Sequence, residues 1–124
     1  MRRLAFYDPL TGLANRRLLQ QRLKETLEQA PQQPLALVFI DLDHFKPIND
    51  TFGHETGDLL LKLVAERMGH CVREDDLVVR LGGDVFVVLL PDTGDGALAV
   101  ADKLHQSLHH AFQIEQQALR ISSS

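Results

Sequence analysis

The stretch Arg80-Leu81-Gly82-Gly83-Asp84-Val85-Phe86 determines how the rest of this 124-residue chain is interpreted. Apolar residues flank the two glycines on both sides, at positions 77–79 and 86–90. Two apolar runs joined by a Gly-Gly step predict a β-hairpin, because glycine has no Cβ and tolerates the dihedral angles of a tight turn. The predicted hairpin carries a carboxylate, Asp84, at its tip.

The composition predicts one folded domain. Hydrophobic residues make up 44% of the chain and charged residues 24%, which is ordinary for a globular protein. A formal net charge of −4 provides no basic surface, so neither nucleic acid nor an anionic membrane is an expected partner. The single cysteine, Cys71, excludes an intrachain disulfide and is predicted to be a buried helix residue. No apolar run has membrane-spanning length, so the chain is expected to be soluble and cytoplasmic.

The first half of the chain predicts a turn, a helix and a strand. Residues 8–13 contain proline and glycine and predict a turn, with Asn15 as the N-cap of the following helix. Residues 16–30 predict that helix, with Leu19, Leu23 and Leu27 along its buried stripe. Residues 35–40 are continuously apolar and predict a strand buried on both faces, which ends in Asp41 and Asp43.

The second half predicts further helices around the hairpin. Residues 44–52 suit a short helix, and the apolar pattern of residues 55–72 predicts a long one, with Leu59 among its apolar positions. Residues 97–111 predict another helix, with Leu98, Ala101, Leu104 and Leu108 turned inward, and residues 118–121 begin a last strand. This order predicts an α/β sandwich with a mixed central sheet covered by helices.

Two carboxylates are candidates for metal binding. Asp41 ends a buried strand, and Asp84 lies on the hairpin. Mg²⁺ prefers hard oxygen ligands and typically uses one or two carboxylates together with substrate phosphates. On spacing alone, acidic residues at strand ends and hairpin tips are mostly solvated. The spacing therefore leaves both interpretations open.

Five blocks of sequence resemble the GGDEF family, the diguanylate cyclases that make the second messenger cyclic di-GMP. They occur in the family's order over nearly the whole chain: Asp8-Pro9-Leu10-Thr11-Gly12-Leu13, then Phe39-Ile40-Asp41-Leu42-Asp43-His44-Phe45-Lys46, then Asn49-Asp50, then Gly53-His54 with Gly57-Asp58, and finally residues 73–86. The resemblance implies one domain over residues 1–124 with an adenylyl-cyclase or palm-like, ferredoxin-like α/β fold and a signature β-hairpin.

The resemblance also implies a set of ligands for GTP and its metal. Asp41, the backbone carbonyl of Leu42 and Asp84 would bind Mg²⁺ or Mn²⁺, and the metal would hold the triphosphate. Lys46 and the backbone of Gly82 and Gly83 would contact the phosphates.

For the base, the resemblance implies that Asn49 and Asp58 read guanine, with Phe45 in the same pocket. A carboxylate accepts hydrogen bonds from the guanine ring N–H and amino group, while a carboxamide both donates and accepts.

The family reaction joins two GTP molecules into cyclic di-GMP and releases two pyrophosphates. Each domain of a facing pair carries one GTP, so a homodimer is the expected active unit. The match begins almost at Met1, so fusion to a sensor or another signalling domain is also expected.

Val85 is the main departure from the family pattern, since the family has a glutamate there. Valine has no lone pair for a metal and cannot accept a proton. The substitution predicts a dead or very slow cyclase. A working cyclase that tolerates Val85 is the alternative, and a dimerisation module without ligand is a third possibility.

The second departure is at the C-terminus. The family continues past residues 121–123 with a strand and a basic helix that this chain lacks. The chain is therefore expected to be truncated or part of a longer protein.

Arg73 and Asp76 form an Arg-x-x-Asp pattern just ahead of the hairpin, which resembles the family's inhibitory site for cyclic di-GMP. Arginine can hold a phosphate or a guanine edge with two hydrogen bonds, and Asp76 could accept from guanine. A solvated charged loop is the simpler alternative. His105 and His109 are predicted to lie on a solvated helix face, whereas His44 and His54 would shape the nucleotide pocket.

Overall fold

The fold consists of helices packed on both faces of a β-sheet. The computed structural model describes residues 5–29, 31, 34–43, 45–91 and 96–109, and the backbone of residues 112–114, 117–119 and 122–123. The elements in chain order are α1 (Arg16–Gln29), β1 (Leu35–Asp43), α2 (Phe45–Phe52), α3 (His54–Gly69), β2 (Leu77–Gly82), β3 (Val85–Pro91), α4 (Gly96–His109), β4 (Phe112–Ile114), β5 (Gln117–Leu119) and β6 (Ser122–Ser123).

The main sheet has the strand order β2-β3-β1-β6, and a separate ribbon pairs β4 with β5. Strand β3 is therefore flanked by β2 on one side and β1 on the other. All of these strand pairs are antiparallel. The α/β class with a hairpin and flanking helices is confirmed. The sequence predicts a mixed sheet. In the described part of the chain, the parallel pairing consists of one bridge between Ala14 and Val79.

Strand β3 supplies alternate residues to two hydrophobic clusters, as its period of two requires. Phe86, Val88 and Leu90 face α3 and α4, where they join Val64, Leu104 and other apolar side chains. Val87 and Leu89 face α1, where Leu18 and Leu19 cover them. Strand β3 is thus the strand buried on both faces, and its continuous apolar sequence reflects that position.

The buried face of each helix follows a slightly different stripe from the predicted one. The apolar pattern predicts Leu27, Leu59 and Leu98 among the buried stripes, but all three are substantially exposed. In α4 the inward stripe begins at Ala97 rather than Leu98, which is 81% exposed. An apolar residue one position off a stripe is rotated by about 100° around the helix axis, which places Leu98 toward solvent.

The prediction that β1 is buried on both faces holds only in part, because Leu35 and Leu37 are partly buried against the cluster under α1 but Phe39 on the same face is not. Ile40 and Leu42 point into the cluster under α3 and α4, but Phe39 on the opposite face is 61% exposed. Helix α1 packs on β2 and β3, so within the described residues it leaves this part of β1 uncovered.

The end of α3 differs from the prediction as well. The helix stops at Gly69 instead of continuing to position 72, so Cys71 lies in the following turn. Cys71 is buried, as expected, and its thiol donates to the carbonyl oxygen of Arg67 at 3.4 Å. Within the part of the chain that is described, no helix combines the length and apolar character needed to span a membrane.

Candidate functional site

The pairing of β1 with β3 brings four of the predicted site residues together. Asp41 is the register partner of Val85, so the two residues lie directly opposite each other on neighbouring strands. One position further along, the backbone N–H of Leu42 donates to the carbonyl oxygen of Asp84 at 3.0 Å. The end of β1 and the tip of the hairpin therefore lie side by side.

The Gly-Gly turn has dihedral angles that favour glycine at both positions. Gly82 has a φ of 152° and Gly83 a φ of 52°, in the region that side chains with a Cβ rarely adopt. The register of β2 against β3 shifts between Arg80 and Gly82, which is the mark of a β-bulge. Both glycines are exposed, so their backbone is accessible beside Asp84.

Arg80, in β2, forms hydrogen bonds that stabilise the turn. Its Nε and Nη2 donate to the carbonyl oxygen of Gly83 at 3.2 and 3.0 Å. Its Nη1 lies 3.2 Å from both carboxylate oxygens of Asp8, with which it forms an ion pair. One side chain thus connects the Gly-Gly turn to the segment that precedes α1.

Asp8 also organises the turn that the sequence predicted at residues 8–13. One of its carboxylate oxygens accepts from the backbone N–H and the hydroxyl of Thr11 at 2.9 and 2.8 Å. Burial raises the pKa of Asp8, but the hydrogen bonds from Thr11 and the charge of Arg80 outweigh it, so the net pKa is below its ordinary value. After this turn, Asn15 caps α1 as predicted, since its Oδ1 accepts from Leu18 N–H at 3.0 Å.

The lowered pKa of Asp8 predicts a specific dependence of stability on pH. Because the ionised carboxylate is favoured in the folded state, its contribution is present above the unfolded pKa, near pH 4, and is lost as the pH falls through the lower folded value. We expect Asp8→Asn to lower the free energy of unfolding by about 1–3 kcal/mol at pH 7. The difference from the unmodified chain should shrink below about pH 4.

Urea unfolding followed at several pH values between 7 and 2.5 measures this dependence. Asp75→Asn, which removes the same charge from an exposed loop position, serves as the control and should change stability little at any pH. If Asp8→Asn lowers the free energy of unfolding by the same amount at every pH, the stabilisation does not come from the ionised carboxylate of Asp8.

A second group of predicted residues meets at the junction of α2 and α3. The side chain of Asn49 in α2 donates from Nδ2 to Nδ1 of His54 at 3.0 Å. A Cβ built on the buried Gly57 would overlap Oδ1 of Asn49 and would lie 3.5 Å from Cζ of Phe45. Asn49 and Phe45 are thus packed against the first turn of α3, directly before the exposed Asp58.

The donor set at the end of the sheet suits a hard divalent cation. Among the described residues, no group of three or more His, Cys, Asp or Glu side chains lies close enough to hold a metal ion by itself. A metal beside Asp41 and Asp84 would rely on these carboxylates and on oxygens from a ligand, which is typical of Mg²⁺. Lys46 is exposed in the first turn of α2, close in sequence to this strand end.

Arg73 and Asp76 form a closed loop just before β2. The Asp76 carboxylate accepts from the backbone N–H of Arg73 at 2.8 Å, and the Asp76 N–H donates to the Arg73 carbonyl oxygen at 3.0 Å. Asp76 is buried, and its Oδ1 accepts no hydrogen bond from the described residues. The side chain of Arg73 is exposed. The aspartate therefore holds the loop, while the arginine is presented to solvent.

The two histidines of α4 are both exposed, as predicted. Their Nε2 atoms are 3.0 Å apart, and their rings meet edge to face. No sequence pattern indicates the contacts of Asp8, Arg80 or Gly57, although all three lie in the matched blocks. No spacing rule could have paired Arg80 with Asp8, because they are 72 positions apart in the chain.

Comparisons with known proteins agree with this arrangement. Residues 5–124 match the family model described as "Diguanylate cyclase, GGDEF domain". The bifunctional diguanylate cyclase/cyclic di-GMP phosphodiesterase MucR of Pseudomonas aeruginosa is 45% identical over 125 residues, which cover 98% of this chain but only 18% of MucR. The chain thus spans less than a fifth of that relative.

Two solved structures show the same fold. A truncated TpbB from Pseudomonas aeruginosa, comprising only its GGDEF domain, is 40% identical with a TM-score of 0.90, and the match covers 95% of this chain and 72% of that one. The GGDEF domain of DgcB from Caulobacter crescentus, solved in complex with c-di-GMP, is 27% identical with a TM-score of 0.88, and the match covers 100% of this chain and 77% of that one.

Proposed function

The chain belongs to the GGDEF family of diguanylate cyclase domains, and from this membership we propose that it binds guanine nucleotides with little or no cyclase activity. The observation that carries the proposal is the pairing of Val85 with Asp41. At the position where the family has a glutamate, this chain places a hydrocarbon side chain opposite the strand carboxylate. Its function is then to respond to GTP or cyclic di-GMP rather than to make the messenger.

The strand pairing explains why this one residue matters. Directly opposed residues in an antiparallel ladder have Cβ atoms about 4.5–5.5 Å apart, on the same face of the sheet. A glutamate at position 85 would add a second acidic group next to Asp41. Valine cannot ligate a metal or take a proton from a hydroxyl. The proposed site therefore has one acidic group fewer than the family pattern.

The remaining groups suit nucleotide binding. Asp41, the carbonyl oxygen of Leu42 and Asp84 would hold Mg²⁺ or Mn²⁺, which when bound neutralises triphosphate charge. Gly82 and Gly83 admit phosphate oxygens close to the backbone.

The exposed Lys46 adds a positive charge for the phosphates. For the base, Asn49 and Asp58 supply donor and acceptor groups for guanine, and Phe45 supports the pocket.

Two measurements on the same sample test this function. Isothermal titration calorimetry with GTP and Mg²⁺ should show binding, and chromatography of a long incubation should show no multiple-turnover cyclic di-GMP. Sustained turnover would support the alternative of a working homodimeric cyclase. Absence of binding to either GTP or cyclic di-GMP would leave a dimerisation module as the remaining interpretation.

Arg73 is the residue on which we expect cyclic di-GMP binding to depend. Its exposed guanidinium can contact phosphate or guanine, whereas Asp76 is buried and already bonded to the loop backbone. Arg73→Ala should weaken cyclic di-GMP binding by at least about tenfold without changing the melting temperature. Arg22→Ala removes the same charge from an exposed position of α1 and should bind like the unmodified chain. No heat of binding in the unmodified chain would refute the site.

A further inference from the structure

Helix α4 presents two histidines, one turn apart, at its C-terminal end. His105 and His109 are both exposed, and their Nε2 atoms lie 3.0 Å apart. Each histidine follows a leucine of the core, because Leu104 is 1% exposed and Leu108 is completely buried. Residues four positions apart are neighbours on one side of a helix. The two imidazoles are therefore adjacent on a part of the backbone that core packing holds in place.

We infer that His105 and His109 form a binding site for a divalent transition metal, namely Cu²⁺, Ni²⁺ or Zn²⁺. An imidazole nitrogen binds such a metal at about 2.0–2.1 Å. Two nitrogens at that distance, with the square-planar or tetrahedral angle between them, are about 2.9–3.4 Å apart. The 3.0 Å between the two Nε2 atoms lies within this range. Metal binding therefore needs only small rotations of the rings and no movement of the helix.

The site does not depend on which ring donates a hydrogen bond in the metal-free chain. A neutral imidazole that binds a metal through Nε2 carries its proton on Nδ1. The metal thus replaces the contact between the two Nε2 atoms, and both rings take the same tautomer. Either arrangement of protons in the metal-free pair leads to the same bound state.

The charges around the end of α4 favour a cation. The helix ends at His109, and the unpaired carbonyl groups of a helix C-terminus carry a partial negative charge. The exposed Asp102 lies one turn before His105, which adds a negative charge on the same side of the helix. Lys103 is two positions before His105, and residues at that spacing do not face each other.

The ligand type separates this site from the Mg²⁺ site proposed at the end of the sheet. Mg²⁺ prefers oxygen ligands, whereas imidazole suits Cu²⁺, Ni²⁺ and Zn²⁺. Among the residues that the structure describes, no group of three or more His, Cys, Asp or Glu side chains could hold a metal. The two histidines therefore supply the protein ligands, and water takes the other coordination positions. We expect Cu²⁺ to bind most tightly of the three metals.

Calorimetry with Ni²⁺ on the nucleotide-free chain tests the pair. His105→Ala and His109→Ala each leave one ligand, so each should weaken Ni²⁺ binding by at least about tenfold, because a second histidine of the same helix no longer chelates the metal. His70→Ala removes an exposed histidine outside α4 and should bind like the unmodified chain. His110→Ala removes the next histidine in the sequence, and a loss equal to that of His105→Ala would contradict the pairing.

The double variant Gln20→His/His109→Ala separates the spacing of the histidines from their number. It keeps six histidines but places one on α1, where the exposed Arg16 and Lys24 lie one turn away and supply no ligand. It should bind Ni²⁺ as weakly as His109→Ala. Affinity equal to that of the unmodified chain would mean adventitious binding by scattered histidines and would overturn the inference. Thermal melting in the presence of a chelator should differ little among these surface variants, which shows that each is folded.

Electron paramagnetic resonance with less than one equivalent of Cu²⁺ identifies the ligands directly. The spectrum should show two imidazole nitrogens bound to Cu²⁺ in the unmodified chain and one in His109→Ala. An equal concentration of Mg²⁺ should leave the spectrum unchanged, because Mg²⁺ prefers oxygen ligands. Identical Cu²⁺ spectra in the unmodified chain and in His109→Ala would refute the site. None of these measurements involves GTP, so their outcome is independent of the proposed function.

Discussion

Val85→Glu is expected to raise the rate of cyclic di-GMP formation from GTP and Mg²⁺ by about 100-fold or more over the unmodified chain. Removing one organised group that stabilises a transition state typically costs a factor of about 10²–10³ in rate, and restoring one should recover a similar factor. The new carboxylate would lie opposite Asp41 on the neighbouring strand, because these two positions are register partners. The hairpin already has the Gly82-Gly83 turn, and Asp84 is bonded through its backbone to the end of β1, so we expect one added carboxylate to raise the rate.

Val85→Gln is the control for this experiment. Glutamine has the length of glutamate but no charge and no basic oxygen of comparable strength, so it should leave turnover at the level of the unmodified chain. Product is quantified by chromatography against a cyclic di-GMP standard, and GTP affinity is measured in parallel to show that rates are compared at saturation. Equal rates in the Glu and Gln variants would mean that the missing carboxylate is not what limits activity.

Local signals allowed the hairpin and the start of α1 to be predicted from sequence. The Gly82-Gly83 pair requires no partner elsewhere to indicate a turn, and Asn15 caps α1 through a residue only three positions away. Cross-strand register is a different matter, because a shift of one residue exchanges the two faces of a strand. Asp41 pairs with Val85 because the register of β1 against β3 runs unbroken from Leu35 and Pro91, and no apolar pattern reveals that register.

Burial is the property that the apolar pattern predicts least well, for a physical reason. Periodicity identifies an apolar face, but it does not say whether another element covers that face. Phe39 extends an apolar strand and remains exposed, because α1 packs on β2 and β3 instead. Likewise, the charged sequence around Asp76 does not indicate that this residue is buried and that its carboxylate accepts from the backbone of its own loop, and its contact with cyclic di-GMP stays a prediction.

The last residue of the signature, Phe86, is expected to control stability rather than chemistry. Phe86 is completely buried in the cluster between the sheet and helices α3 and α4. Replacing a buried phenylalanine by alanine removes its apolar contacts and leaves a cavity, at a cost of about 3–5 kcal/mol. Domains of this size have total stabilities of about 5–15 kcal/mol, so Phe86→Ala should remove a large share of it.

Phe39→Ala makes the same chemical deletion on the neighbouring strand, but at a position that is 61% exposed. Its free energy of unfolding should fall by less than about 1 kcal/mol, since little apolar surface returns to water. Urea denaturation of both variants gives the comparison directly, and equal losses would refute the assignment of Phe86 to the core. Because β3 lies between β2 and β1, a signature residue on its inward face must fill the core whatever the chemistry at the turn. We therefore expect the hairpin to keep its fold with either valine or glutamate at position 85.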